Sequence, residues 1–375
     1  MHHLPAHALH SFFKNQLNEL YISMALRSFA FSLIDVFVPI YLLMEGYSLQ
    51  SVFLFFVIVH GVHAMCAYPS ARIALRIGFW APVLASSALF ILFFFLLHTI
   101  GEYHWPLWLL GLVSGVANPL FWMAYHIDFV SCSDAAKRGE EVGTVKIMNI
   151  AATALAPALG ALIISAWGFL SLIILVSVIL AGSTLPLVFS NNRSGVSDGI
   201  RLSDIFHHQP LREALNYFGH GIDQGLGAVW VIFIFLTISQ TVTVIGFASS
   251  IALLCSFFTI FFTGRMSNRH ARSVLHAGAI GTSVAWLVRL LYVKTPLMVY
   301  ITNALGGMAT SAVIVPFSVM VYGRSSDQKS CRPLITGEIL FHIGKVALFS
   351  IMAITSNFWG AFFVGALVPL VYFLF

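Results

Sequence analysis

Two sets of polar and ionisable side chains interrupt apolar stretches of the sequence at the same helical spacing. The first set is Asn216, His220 and Asp223, and the second is Glu338, His342 and Lys345. Because each set follows i, i+4, i+7 spacing, its members share one face of a helix. A charge at bilayer depth costs at least about 2.5–3.5 kcal/mol, so such residues mark functional sites in membrane proteins. Histidine beside a carboxylate also suits proton transfer, because histidine titrates near neutral pH.

The first half of the chain carries a looser set of the same kind. Arg27 lies one position from a Ser28–Ser32–Asp35 stripe, and a second stripe comprises Lys146, Asn149 and Thr153. We predict that four of these residues join the two sets above on a substrate or proton pathway: Arg27, Asp35, Lys146 and Asn149. For the first two sets the alternative is a static polar network that holds the two helices together, and for Asp35 it is hydration near the outer side of the membrane.

Cysteine and histidine spacing predicts no metal site and no cofactor. The four cysteines lack paired or metal-type spacing. His60 and His63 have no carboxylate beside them in the sequence, so a metal path there is a minor alternative. A leader rich in histidine is interpreted as a solvated tail, with a weak metal-binding tract as its alternative. Its histidines are His2, His3, His7 and His10.

The composition indicates that the helices carrying these side chains span a membrane. Of the 375 residues, 59% are hydrophobic and 9% are charged, whereas a soluble domain carries roughly 25% charged residues. A helix needs about 20 apolar residues to cross the bilayer. The stretches that satisfy this are 20–44, 52–71, 80–100, 105–130, 142–166, 168–190, 212–237, 242–263, 273–293, 296–322, 334–355 and 356–375. The predicted fold is therefore an all-α polytopic membrane protein with twelve transmembrane helices.

The loop charges predict the orientation of these helices. If the N-terminus is cytoplasmic, the Lys and Arg residues of the loops fall on the inner side, and only Lys294 lies outside. Cytoplasmic loops are expected to carry this excess. We therefore predict a protein of the plasma or inner membrane with both termini in the cytoplasm. The net charge of +5 needs no nucleic-acid partner to explain it. Arg289, near an outer helix end, is expected to snorkel to the interface.

A repeated pattern divides the chain into two halves. The Arg72-x-x-x-Arg76 pattern after the second span recurs as Arg265-x-x-x-Arg269 after the eighth, and matches in two other spans have nearly the same offset. Internal repeats of this kind are typical of secondary transporters. We predict pseudo-symmetric six-helix bundles at 1–190 and 212–375, joined by a cytoplasmic linker at 191–211.

In this layout the chain resembles the major facilitator superfamily. The family motif after helix 2 runs roughly G-x-x-x-D-R-x-G-R, and the matching stretches here are 71–79 and 264–272. The residues that carry the match are Arg72, Arg76, Gly78, Gly264, Arg265 and Arg269. Leu75 stands where the family has an acid, so a charge-based latch and simple positive-inside anchoring remain equal alternatives for these arginines. In the family, an acid on helix 7 faces a base on helix 11, which implies an Asp223–Lys345 ion pair here.

The resemblance implies a secondary active transporter of a small polar or amphiphilic solute that works by alternating access. Buried acids and histidines favour proton coupling. The stretch 152–161 partly matches a glycine-rich motif that proton-coupled exporters often carry on helix 5, which slightly favours export. A proton-coupled nutrient importer, or a receptor or scaffold that keeps the fold without transport, is the alternative. No nucleotide-binding loop or local catalytic motif is visible, so no enzyme is predicted. The expected partners are the solute, protons and the bilayer, and the expected state is a monomer.

Overall fold

The computed structural model describes residues 16–132, 147–188, 202, 205–206, 209–327 and 331–374. Within these ranges the secondary structure is helical and no strand occurs. The all-α fold class predicted from the sequence is confirmed. Ten helices are long and apolar enough to cross a membrane, and Phe358–Leu374 is a shorter apolar helix. The chain is therefore an integral membrane protein.

We number the membrane helices in chain order. They are α1 (Gln16–Ile34, continued by Asp35–Phe37 and Val38–Met44), α2 (Leu49–Ile77), α3 (Trp80–His98), α4 (Leu107–Cys132), α5 (147–167), α6 (169–182), α7 (Leu211–Thr237), α8 (242–269), α9 (271–292), α10 (Pro296–Asp327), α11 (Arg332–Thr355) and α12 (Phe358–Leu367, continued by Val368–Leu374).

Two of these boundaries are breaks within otherwise continuous helices. Gly168 has φ 80° and ψ 172°, which separates α5 from α6 where the sequence predicts a turn. His270 has φ −134° and ψ 40°, which separates α8 from α9. These two breaks turn long helical runs into pairs of membrane spans. Together with the short last helix, they give the twelve spans that the hydropathy pattern predicts.

The helices that line the centre approach one another through glycine. Helix α2 packs along α11, α5 packs along α8, and α7 packs along α11. A Cβ at Gly221 on α7 would collide with the carbonyl oxygen of Phe341 on α11, and one at Gly246 on α8 would lie 2.5 Å from the carbonyl oxygen of Pro157 on α5. Small residues permit such close helix packing in membranes. Under the predicted division, the α2–α11 and α5–α8 contacts join the two bundles.

Candidate functional site

A central cavity of about 640 Å³ is lined by helices from both predicted bundles. Its wall includes aromatic side chains such as Trp122, Tyr125 and Phe341. The Asp, Glu, His and Lys residues in its wall are Asp35, His60, His63, His126, His220, Glu338, His342 and Lys345. Asn149 also lines it. The cavity therefore combines a largely apolar wall with a small number of ionisable groups, as small-molecule sites do.

Glu338 is the centre of a polar cluster that joins α11 to α2 and α4. Its Oε1 atom lies 2.9 Å from Nε2 of His63 and 3.4 Å from Nε2 of His342. Its Oε2 atom lies 3.8 Å from Nε2 of His126. The glutamate and His342 follow i, i+4 spacing on α11, whereas His63 and His126 come from the first half of the chain. One carboxylate thus contacts three imidazole rings from three helices.

A fourth histidine contacts the same cluster. Nδ1 of His60 lies 3.0 Å from Nδ1 of His342, so one of these two nitrogens donates a hydrogen bond to the other. The rings of His63 and His342 stack with centroids 3.5 Å apart. His60 and His63 are three residues apart and so share one face of α2. Both therefore face α11 and the cavity.

Lys345 lies one turn beyond His342 on the same helix. Its Nζ atom lies 4.4 Å from the centroid of the Phe341 ring. The carboxylates that act on its charge are Glu338 and Asp35. Because Asp35 belongs to α1, Lys345 also connects charges from the two predicted bundles across the cavity.

The predicted Asp223–Lys345 ion pair is wrong for this structure. Lys345 lies against Gly225 of α7, where an added Cβ would stand 3.5 Å from its Cγ atom. Since successive helix residues turn by about 100°, Asp223, two positions earlier, points away from α11. It is buried, with 6% of its surface exposed, and Arg289 is the cation that acts on it.

Asp223 and Arg289 belong to a buried unit behind the cavity wall. Oδ2 of Asp223 is buried and makes no hydrogen bond within the described part of the chain. Nη2 of Arg289 donates to Oδ1 of Asn303 at 3.2 Å, and the guanidinium lies 4.5 Å from the Trp286 ring centroid. Arg289 is 9% exposed, so the expectation that it snorkels to the interface is wrong. Its partners are side chains of the protein.

Two further residues predicted for the pathway are buried away from the cavity. Arg27 donates to Oγ of Ser86 at 2.8 Å and to Oγ of Ser87 at 3.1 Å, which ties α1 to α3. Asn216 donates to the carbonyl oxygen of Arg212 at 2.7 Å, one turn earlier on α7. Neither lines the cavity. Arg27 therefore joins α1 to α3 and Asn216 bonds within its own helix, while a role of either residue on the pathway remains a prediction.

The other predicted pathway residues have mixed outcomes. His220 lines the cavity, and its Nδ1 lies 2.6 Å from the Tyr372 hydroxyl. Asp35, Asn149, Glu338, His342 and Lys345 line it as well. Lys146 lies outside the described residues. The role of each remains a prediction.

The residues of the first loop motif lie in the last turns of α2 and at its C-terminal cap. Gly78 ends the helix with φ 83°, and its N–H donates to the carbonyl oxygen of Ala74. Nη1 of Arg72 donates to the Tyr68 hydroxyl at 3.1 Å, and Arg76 is exposed. The side chains of Gly264, Arg265 and Arg269 lie outside the described part of the chain. The choice between latch and anchor therefore stays open.

Sequence reasoning missed the part that His60, His63 and His126 play. It gave the first two only a metal path as a minor alternative, because no carboxylate lies near them along the chain. Their carboxylate is Glu338, which α11 supplies from the other end of the sequence. The signal was the face shared by His60 and His63 on an apolar helix, which needs a buried polar partner from elsewhere.

The comparisons with known proteins agree with this architecture. No family model matches the chain, and no curated protein matches it. Among solved structures, it is similar to FucP, a major facilitator superfamily transporter solved in the outward conformation, with 15% identity and a TM-score of 0.70 over 96% of this chain and 98% of that chain. It is similar to the human organic anion transporter MFSD10, with 14% identity and a TM-score of 0.67 over 96% and 99%.

A variant of the E. coli fucose:proton symporter FucP gives the same result, with 15% identity and a TM-score of 0.70 over 95% of this chain and 96% of that chain. The agreement extends over nearly the whole length of each protein. At these identities the likeness establishes the architecture, and the chain has the fold of the major facilitator superfamily.

Proposed function

We propose that this protein is a secondary active transporter that moves a small polar or amphiphilic solute by alternating access. The observation that carries the proposal is the central cavity, whose wall is built by both predicted bundles and holds Asp35, Glu338 and Lys345. In transporters built from two repeats, the substrate site lies at the interface between them. No enzymatic activity is part of the proposal.

The charges in the wall support a polar or zwitterionic solute. Lys345 offers a cation, and Asp35 and Glu338 offer anions on opposite sides of the cavity. Aromatic neighbours such as Trp122 and Tyr125 offer flat apolar contacts. The names of the similar structures, a fucose:proton symporter and an organic anion transporter, suggest sugars and organic anions as the first solutes to screen.

Proton coupling is the driving force that we propose. Glu338 contacts three histidines within the membrane, and histidine and carboxylate together can carry a proton near neutral pH. Export remains the favoured direction because the stretch 152–161 partly matches the exporter motif. In the structure this segment also packs on α1 and α8, through Gly160 and Pro157.

The test is transport by the full chain in proteoliposomes with an imposed pH gradient. Sugars, amino acids and organic anions are screened for uptake and efflux by wild type, Glu338→Gln and Lys345→Met. We expect the gradient to accelerate the movement of one solute class, and both substitutions to abolish that acceleration. Gly227→Ala on α7, where an added Cβ meets open space, reports whether a mild change in the wall is tolerated.

Two outcomes would reject the proposal. Transport that ignores the pH gradient and Glu338→Gln would contradict proton coupling. A folded, monodisperse protein that moves no solute from a broad panel in either direction would instead favour a receptor or scaffold with the same fold.

A further inference from the structure

The cluster around Glu338 has the composition of a transition-metal site. Atoms of His63, Glu338 and His342 that could each bind a metal lie within 4.8 Å of one another. Two imidazoles and one carboxylate form the ligand set of catalytic zinc sites, in which a fourth position stays open for water or substrate. Such nitrogen-rich sets favour zinc, cobalt or nickel over magnesium and calcium.

Two of the three distances between ligand atoms suit a shared metal ion, and one imidazole must rotate on binding because the rings of His63 and His342 are stacked at an interplanar angle of 19°. Ligands at about 2.0–2.1 Å from a tetrahedral zinc are separated by roughly 3.3 Å from one another. Nε2 of His63 and Nε2 of His342 lie 2.9 Å and 3.4 Å from Oε1 of Glu338. These two separations are close to the spacing that one shared ion requires, and the ligand atoms of the two histidines lie within 4.8 Å of each other.

His63 supplies an independent observation. Its side chain is 1% exposed, yet among the described residues neither of its ring nitrogens makes a hydrogen bond of acceptable geometry. A buried polar group without a partner lowers the stability of a protein. The short approach of Nε2 to Glu338 thus brings two ligand atoms together without a well-formed hydrogen bond, and a metal ion between them would satisfy both.

His60 fits the role of a positioning residue. A histidine that ligates a metal usually donates its other ring N–H to a neighbouring group, which fixes the tautomer. Nδ1 of His342 lies 3.0 Å from Nδ1 of His60. When Nδ1 of His342 donates to Nδ1 of His60, Nε2 of His342 presents its lone pair beside Glu338.

We propose that His63, Glu338 and His342 bind one divalent transition-metal ion of the zinc class, oriented by His60. Because His63 lies on α2 and the other two ligands lie on α11, the ion bridges the two helix bundles across the cavity. The consequence for alternating access, that a bound ion holds α2 and α11 together, rests on the proposed transport function. The binding itself does not.

The test is metal binding by the full chain in nanodiscs, purified without a histidine tag. Replacing His2, His3, His7 and His10 by glutamine in every sample removes the leader as a competing tract. Co²⁺ is titrated in and read by visible absorption. We expect one Co²⁺ per chain with the intense bands of a four- or five-coordinate site, displaced by Zn²⁺ but not by Mg²⁺.

Variants assign the ligands. His63→Gln, Glu338→Gln and His342→Gln should each weaken Co²⁺ binding by more than about 100-fold, beyond the effect usual for groups outside the ligand set. His60→Gln should weaken it by about 10–100-fold and shift the band energies while one Co²⁺ still binds. His98→Gln, at the end of α3, is the matched control and should bind as wild type does.

A second measurement covers variants that fold poorly. A saturating Zn²⁺ concentration should raise the Tm of the unvaried protein, because a ligand that binds only the folded state stabilises it. Absence of both the Co²⁺ bands and the Tm increase would overturn the proposal, as would unchanged Co²⁺ affinity in folded Glu338→Gln. Neither readout requires transport, so failure here and failure of the transport proposal can be told apart.

Discussion

Nε2 of His63 lies 2.9 Å from Oε1 of Glu338, and these two side chains belong to opposite halves of the chain. Contacts between the ends of different bundles are the ones that an alternating-access protein must make and break. The pair lies at the α2–α11 contact in the cavity wall, with side-chain exposures of 1% for His63 and 14% for Glu338. The interaction between these two side chains therefore affects how stable this conformation is.

The first prediction is that His63 and Glu338 are energetically coupled. A double-mutant cycle with His63→Phe and Glu338→Gln, measured as unfolding free energy in metal-free detergent, should give a coupling of about 0.5–3 kcal/mol. The control cycle pairs Glu338→Gln with Arg72→Gln, since Arg72 lies nine residues further along α2 and bonds to Tyr68. That cycle should be additive. A coupling no larger than the control's would show that the two residues do not interact.

The second prediction follows from the partner of Asp223. Asp223→Asn should destabilise the protein, because it removes the carboxylate that offsets the charge of the buried Arg289 guanidinium. Asp223→Asn combined with Arg289→Met should be less harmful than Asp223→Asn alone. Thermal unfolding of the three variants measures this difference.

The competing pair provides the control for that experiment. If Asp223 were paired with Lys345, the rescue would come from Lys345→Met instead. The carboxylates that act on the charge of Lys345 are Glu338 and Asp35, so Asp223→Asn and Lys345→Met should have additive effects. Rescue by Lys345→Met would instead support the Asp223–Lys345 ion pair that the sequence predicts.

The sequence predicts the helices of the fold, but it does not predict the partner of Asp223. Hydropathy predicts how long each helix is. The helix break at position 168 is also predictable, because glycine readily adopts the positive φ found there. Matched depth on two helices, however, says nothing about the rotation of each helix about its axis. Gly221 and Gly225 set that rotation for α7, because only glycine lets α11 approach so closely. Asp223 then points to the opposite side.

The same limit explains the histidines. Local spacing correctly placed Glu338 and His342 on one face, and His60 and His63 on another. That these two faces meet depends on packing between α2 and α11, which no short stretch of sequence encodes. A buried ionisable residue predicts that a partner exists, without naming the helix that supplies it.

The third prediction concerns the glycines of α7. Gly221→Ala should lower stability by about 1–3 kcal/mol, because its Cβ would displace the backbone of α11 at Phe341. Gly227→Ala on the same helix has open space for its Cβ and gains helix propensity of up to about 1 kcal/mol. Its Tm should equal or exceed that of wild type. Equal losses at both positions would contradict the predicted α7–α11 approach.

The last prediction tests the interpretation of Arg27 as a structural residue. Oγ of Ser86 accepts a hydrogen bond from Arg27 at 2.8 Å and donates one to the carbonyl oxygen of Ala117 at 2.6 Å. Ser86→Ala removes both, so a buried N–H of a charged group loses its partner, and we expect a loss of about 1–3 kcal/mol in unfolding free energy. Ser171→Ala is the matched control, because that hydroxyl is exposed and bonds only to the carbonyl of Trp167, one turn earlier. It should change stability by less than about 0.5 kcal/mol. If Ser86→Ala is equally mild, the hydrogen bond from Arg27 to Ser86 does not stabilise the packing of α1 on α3, and this part of the structural interpretation of Arg27 is wrong.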